Sequence, residues 1–100
     1  MATVTRALAR TAAATTATTL YTVPSATTTV VTDIVVTNTA GATGTFTLRL
    51  NGVDIATTVV VPANDSISIP LKQVISATQI ISGFASATTI NFHISGVEIS

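Results

Sequence analysis

The sequence predicts an all-β chain: an antiparallel β-sandwich or jelly-roll-like barrel of about eight short strands behind an extended N-terminal arm. Three observations predict it. From Thr18 onward the apolar residues recur with a period of two, not 3.6. Turn signals arrive about every ten residues, as they do in sandwiches and barrels. The segments between them are rich in valine, isoleucine and threonine, which suit a pleated surface.

The chain begins differently. "TAAATTATTLYTVP" (Thr11–Pro24) is nearly pure alanine and threonine before it turns into a strand. Alanines 7 to 14 suit a helix, but neither caps nor an apolar stripe support one. The threonines at 15, 16, 18 and 19 then favour extended backbone. Such a segment has too little apolar area to offset the entropy of its own ordering, and is expected to order only along a preformed surface. Residues 1–16 are therefore read as an arm and 17–100 as the sandwich, with the first strand running from Ala17 to Pro24. A secretory leader needs an unbroken apolar stretch of about 7–15 residues. Arg10 and the threonines interrupt every such run here.

The body follows strand by strand. "TTTVVTDIVVTNT" (Thr27–Thr39) ends in the turn "AGATG". "TFTLRL" alternates, with Phe46, Leu48 and Leu50 on one face and Thr45, Thr47 and Arg49 on the other. Asn51-Gly52 is a strong hairpin signal, because a type I′ turn needs positive φ at both central residues. "VDIATTVVV" returns from it, "PANDS" makes a corner, and "SISIPL" alternates again through Ile67, Ile69 and Leu71. "QVISATQIISGFAS" supplies one or two strands around a turn at 76–78. "TTINFHISGVEIS" closes with Ile90, Phe92 and Ile94 facing the core. Val97 and Ile99 have the opposite parity, so a bulge is expected at Gly96.

Composition narrows the way of life. One hundred residues make one domain, and eight charged residues, four of each sign, are few against the usual quarter of a globular chain. Near-zero net charge favours association, and threonine, serine and asparagine must cover the surface instead. The absence of cysteine excludes disulfides and thiolate metal sites. Arg6, Arg10, Arg49 and Lys72 are too few and too scattered to track phosphates, so no nucleic-acid partner is expected. No apolar run approaches the ~20 residues of a membrane-spanning helix.

Strand Val30–Val36 carries apolar residues at both parities: Val30, Ile34 and Val36 at one, Val31 and Val35 at the other. A sandwich strand ordinarily has one wet face. Either a loop or arm covers the second face, or another subunit does; the subunit contact is the preferred reading, and Val59–Val61 pose the same question. The candidate contact residues are accordingly Thr15, Thr16, Thr18, Leu20 and Tyr21, with Val31, Val35 and Val60.

Catalytic chemistry is hard to place. His93 is the single histidine, on the face opposite Phe92 and Ile94, with no second ligand for zinc. Pairing with Asp33 or Glu98 as a base has no support from spacing; a solvated histidine is the simpler reading. Asp54 and Asp65 sit beside turns, where such side chains serve their own backbone. No loop gathers carboxylates for calcium, and no G-x-S-x-G elbow or phosphate loop occurs. Neither an enzyme nor a cofactor is expected.

Four stretches in order are similar to a family of small virion proteins of tailed bacteriophages: "TTLYTVP", "VVTDIVVTNTAGATGTFTLRLNG", "PANDSISIPL" and "INFHISGVEIS". The resemblance spans about Thr18 to Ser100. It implies a structural role in the virion, as a capsid decoration or cement protein or a tail-associated module, repeated by symmetry. The partners it implies are other copies of the chain, a trimer being the first expectation, and a major capsid or tail protein. It supplies no catalytic residues. The positions it picks out, Leu20–Pro24, Asn38, Asn64-Asp65 and Gly96–Ile99, are read as fold-defining. The alternative is a tail or fibre module that binds a receptor or carbohydrate, for which Tyr21 is the one plausible exposed aromatic.

Overall fold

A computed structural model describes residues 3–100; the first two residues of the expected arm lie outside it. The strands are β1 (Thr3–Ala12), β2 (Thr18–Thr22), β3 (Thr28–Asn38), β4 (Gly44–Leu50), β5 (Val53–Val61), β6 (Ser66–Ile75), β7 (Ile80–Ala85) and β8 (Ile90–Ile99). One sheet has the order β1-β8-β3-β6 and the other β2-β7-β4-β5, all neighbours antiparallel. The pairs 1–8, 2–7, 3–6 and 4–5 describe one long hairpin rolled over on itself, and the pairs 3–8 and 4–7 complete the sheets. This is the eight-stranded jelly-roll arrangement.

The core is the alternation read from the sequence. Phe46, Leu48 and Leu50 of β4 face Ile90, Phe92 and Ile94 of β8 across the sandwich, and all six are buried. Phe46 and Phe92 meet edge to face, ring centres 6.0 Å apart, joining the sheets at their middle. The two-residue turn between Leu50 and Val53 has φ of 49° at Asn51 and 80° at Gly52, the positive pair that the hairpin signal required.

Three expectations need correction. The segment read as an arm forms β1, laid along the edge of β8 from Thr3 to Ala12. The preformed surface that orders it is the chain's own sheet, and Leu8 and Ala13 are buried there. The strand count near eight survives because "SISIPL" and "QVI", counted apart, are the single strand β6.

The second correction concerns Gly96. It is not itself bulged: β8 runs on regularly, and its neighbours bulge instead, β1 at Leu8 and β3 at Thr32. The cause is local packing. A Cβ on Gly96 would lie 2.9 Å from Leu8 Cδ1 and closer still to the Val30 carbonyl oxygen, so the missing side chain is the space Leu8 fills. The bulge at Thr32 shifts the parity of β3, so Val31 above it and Ile34 and Val36 below it all point inward and are fully buried. Val31 is thus a core residue and not a subunit contact. Val30 and Val35 are the half-buried outer valines.

Because the nearest obstacle to a Cβ at position 96 is a backbone atom, Gly96→Ala forces the strands apart. We expect a loss of about 1–3 kcal/mol in urea-induced unfolding, typical of overpacking. Unchanged stability would show that Leu8 does not depend on this gap.

Candidate assembly surface

The residues that carry the sequence resemblance are joined to one another at the two ends of the sandwich. At one end, Tyr21 of β2 crosses from its sheet to the other. Its hydroxyl donates to Glu98 Oε2 at 2.5 Å and lies 2.9 Å from Thr29 Oγ1. Arg6 of β1 holds the other oxygen of Glu98, Nε to Oε1 2.7 Å. Glu98 keeps the inward parity of Ile94 and Gly96, which is why its side chain is only 13% exposed while that of Arg6 is 54% exposed. Four strands of both sheets meet in this clamp. Glu98 therefore serves Tyr21 and Arg6, and exposed His93 stands on the opposite face. Burial, and next the Glu98 carboxylate, push the Tyr21 phenol above its ordinary value.

At the other end, Asn38 is buried at the close of β3. Its amide donates to Ala42 O at 2.8 Å and Val61 O at 3.2 Å, its Oδ1 accepts from Ala40 N–H, and its own N–H donates to Asp65 O. Asn64, next to that aspartate, has φ of 53°, the left-handed corner for which asparagine is suited. The "N-T" and "A-N-D" motifs are two halves of one corner.

The apolar surface has a simple distribution. The large exposed hydrophobics are Val4, Val53, Ile55, Val60 and Val74. Every one lies on an edge strand: Val4 on β1, Val74 on β6 and the other three on β5. Edges are where sheets recruit partners, and each of these is blunted against simple strand addition. β6 carries Pro70 and Lys72, β2 has five residues, and β5 is kinked by irregularities around Ile55 and Thr58. Thr58, at φ 48°, donates its N–H to Thr47 Oγ1 at 3.1 Å and so covers a threonine that alternation places on the outer face.

Of the other candidate contacts, Thr15, Thr16 and Thr18 are exposed around the start of β2, and Val60 is 56% exposed. Leu20 and Tyr21 are half-buried against the core, and Val35 lies half-buried between His93 and Ser68. Sequence reasoning missed Val53, Ile55 and Val74, whose exposure follows from edge position, which strand order alone reveals. Phe84 is likewise an outer-face residue: alternation puts its ring where the Arg49 guanidinium lies 5.4 Å from its centre. Arg49 in turn donates to Asp54 Oδ1 at 2.7 Å and holds that exposed carboxyl below its usual range.

Among the described residues no three His, Cys, Asp or Glu side chains group as metal ligands, and no helix is long and apolar enough to cross a membrane. No family model matches the sequence, and no curated protein matches it. Among solved structures, a pentameric capsid protein isolated from metagenomic phage sequences aligns over 96% of this chain, with 15% identity and a TM-score of 0.40. This chain spans 59% of the length of that protein.

Two outcomes test the clamps. Asn38→Ala removes the side-chain partner of three backbone groups, among them the buried Val61 carbonyl, and its unfolding free energy should fall by about 2–4 kcal/mol in chemical denaturation. For Tyr21, the unfolded phenol loses its proton first, near its ordinary value of about 10, while the folded one still holds it. Stability should therefore fall as pH rises from about 10 through the higher folded value, and be unaffected below. Subtracting the pH profile of Tyr21→Phe from that of the wild type isolates this fall; parallel profiles would contradict the clamp.

Proposed function

We propose that the chain is a non-enzymatic structural protein of a bacteriophage virion, a capsid decoration or cement protein that acts through contacts with other copies and with the capsid surface. The observation that carries this reading is the position of the resemblance motifs. Residues that mark the phage-like pattern are those that clamp the jelly roll at its ends: Tyr21 with Glu98, and Asn38 with the Asp65 corner. They build a scaffold: the cleft that several of them share, at the Asn38–Asn64–Asp65 corner, is open, and the Asn38 side chain there is committed to backbone groups. The rest of the surface agrees. Threonine and serine replace charge, and the exposed aliphatic side chains line the strand edges where neighbours would sit. A carbohydrate-binding tail module is the weaker reading, because Tyr21, its expected platform, has its hydroxyl committed to Glu98 and its ring partly against the core.

The test is biochemical. Gradient-purified particles of a phage that encodes this chain should contain it in many copies by mass spectrometry. Particles deprived of it should lose their genome at lower temperature or lower ionic strength. Its absence from purified particles contradicts the proposal.

A further inference from the structure

We propose that copies of this chain associate head to tail, the aliphatic ridge of β5 in one copy seating in the seam between β1 and β2 of the next. This rests on the self-association within the proposed function and names the surfaces that produce it.

The ridge is the half of β5 beside the Asn51–Gly52 turn, where Val53 is 67% and Ile55 37% exposed. On the opposite side of the molecule the two sheets leave a groove between their edges. Its walls are mostly small, Ala9 and Ala12 from β1 and Thr18 and Thr19 from β2, with the longer Arg10 and Leu20 beside them. Bulky aliphatic side chains thus stand on one side and a trough of alanine and threonine on the other.

Register places the two at the same height. Across the second sheet, Thr19 pairs with Ser82, Ser82 with Arg49, and Arg49 with Asp54. Thr19 and Asp54 are therefore the two ends of one row. A sideways displacement by one sheet width brings Val53–Ile55 of one copy beside Thr18–Leu20 of the next. Strand direction agrees as well: β2 and β5 run antiparallel to each other within the sheet, so the next copy continues the alternation.

Charged groups flank this contact and do not enter it. Arg10 lines the groove and belongs to neither of the two salt bridges found among the described residues. Asp54, between Val53 and Ile55, is exposed and ionised beside Arg49. Alternation turns Asp54 away from Val53 and Ile55 onto the outer face, where Arg49 and Thr57 hold it, so head-to-tail contact seats the two aliphatic side chains in the groove and leaves the Asp54–Arg49 pair at the rim. The irregular ladder of β5 prevents a continuous backbone ladder, so side chains carry the contact. The partner patches are different surfaces, so the association is heterologous, and a closed assembly has three copies or more.

The test is complementation between two broken halves. Val53→Asp with Ile55→Asp removes the ridge; Ala12→Arg with Thr19→Arg fills the groove. All four positions are exposed, and circular dichroism melts check that each variant folds; if a double variant does not, Val53→Asp and Thr19→Arg alone carry the same test. By light scattering at high micromolar concentration the wild type should form an assembly of three or more. Each variant alone should be monomeric, and their equimolar mixture should form a dimer and nothing larger, because one intact ridge meets one intact groove. A monomeric or closed dimeric wild type, a variant that assembles like the wild type, or a mixture that stays monomeric overturns the inference. The virion role fails separately: a chain that self-assembles this way but is absent from particles removes that role and leaves the contact standing.

Discussion

Two four-stranded sheets have four edges, and eight charged residues are a thin supply with which to guard them. Most features of the molecule follow from how that shortage is met. Edge β6 uses Pro70 and Lys72, edge β1 uses Arg6 and Arg10, β2 is short, and β5 relies on irregular backbone. Backbone pairing is discouraged on all four, while aliphatic side chains remain exposed on three. The edges are thus closed to open-ended strand addition and left open to side-chain contact of defined geometry. Under the proposed assembly, the valine and isoleucine at these positions are the contact residues.

The interior is organised so that the edges stay in place. Aliphatic and phenylalanine side chains fill the middle, and polar clamps tie the ends. Arg6, Glu98, Tyr21 and Thr29 fasten β1 and β8 of one sheet to β2 of the other, and Asn38 gathers three carbonyl or amide groups at the far corner. β1 needs such fastening most, because its own apolar contribution is little more than Leu8, held in the gap above Gly96. A few specific contacts convert an alanine- and threonine-rich segment, poor in hydrophobic drive, into a fixed edge.

Much of this was legible in the sequence. Clean alternation in "TFTLRL" and "INFHI" gave the core faces, and Asn51-Gly52 gave its hairpin, because both signals are local. What stayed hidden was long-range. The fate of residues 3–12 depended on whether β8 had a free edge, which no local pattern states. The two-faced valines of β3 looked like a contact because a one-residue bulge at Thr32 inverts their parity, and the strand it bulges against, β8 at Gly96 and Ser95, lies far off in sequence. The exposed ridge was invisible for the same reason: Val53 and Ile55 read as ordinary strand residues until strand order puts β5 at the rim.

The central claim is that the rim of β5 and the seam of β1 and β2 are buried when the protein is at work. Amide hydrogen exchange compared between dilute and concentrated protein addresses it directly. Protection should rise with concentration in residues 53–56 and in 9–20, and stay constant in the central strands β8, β3, β7 and β4. Exchange that is independent of concentration in both segments, or protection gained only at β6, would contradict the account.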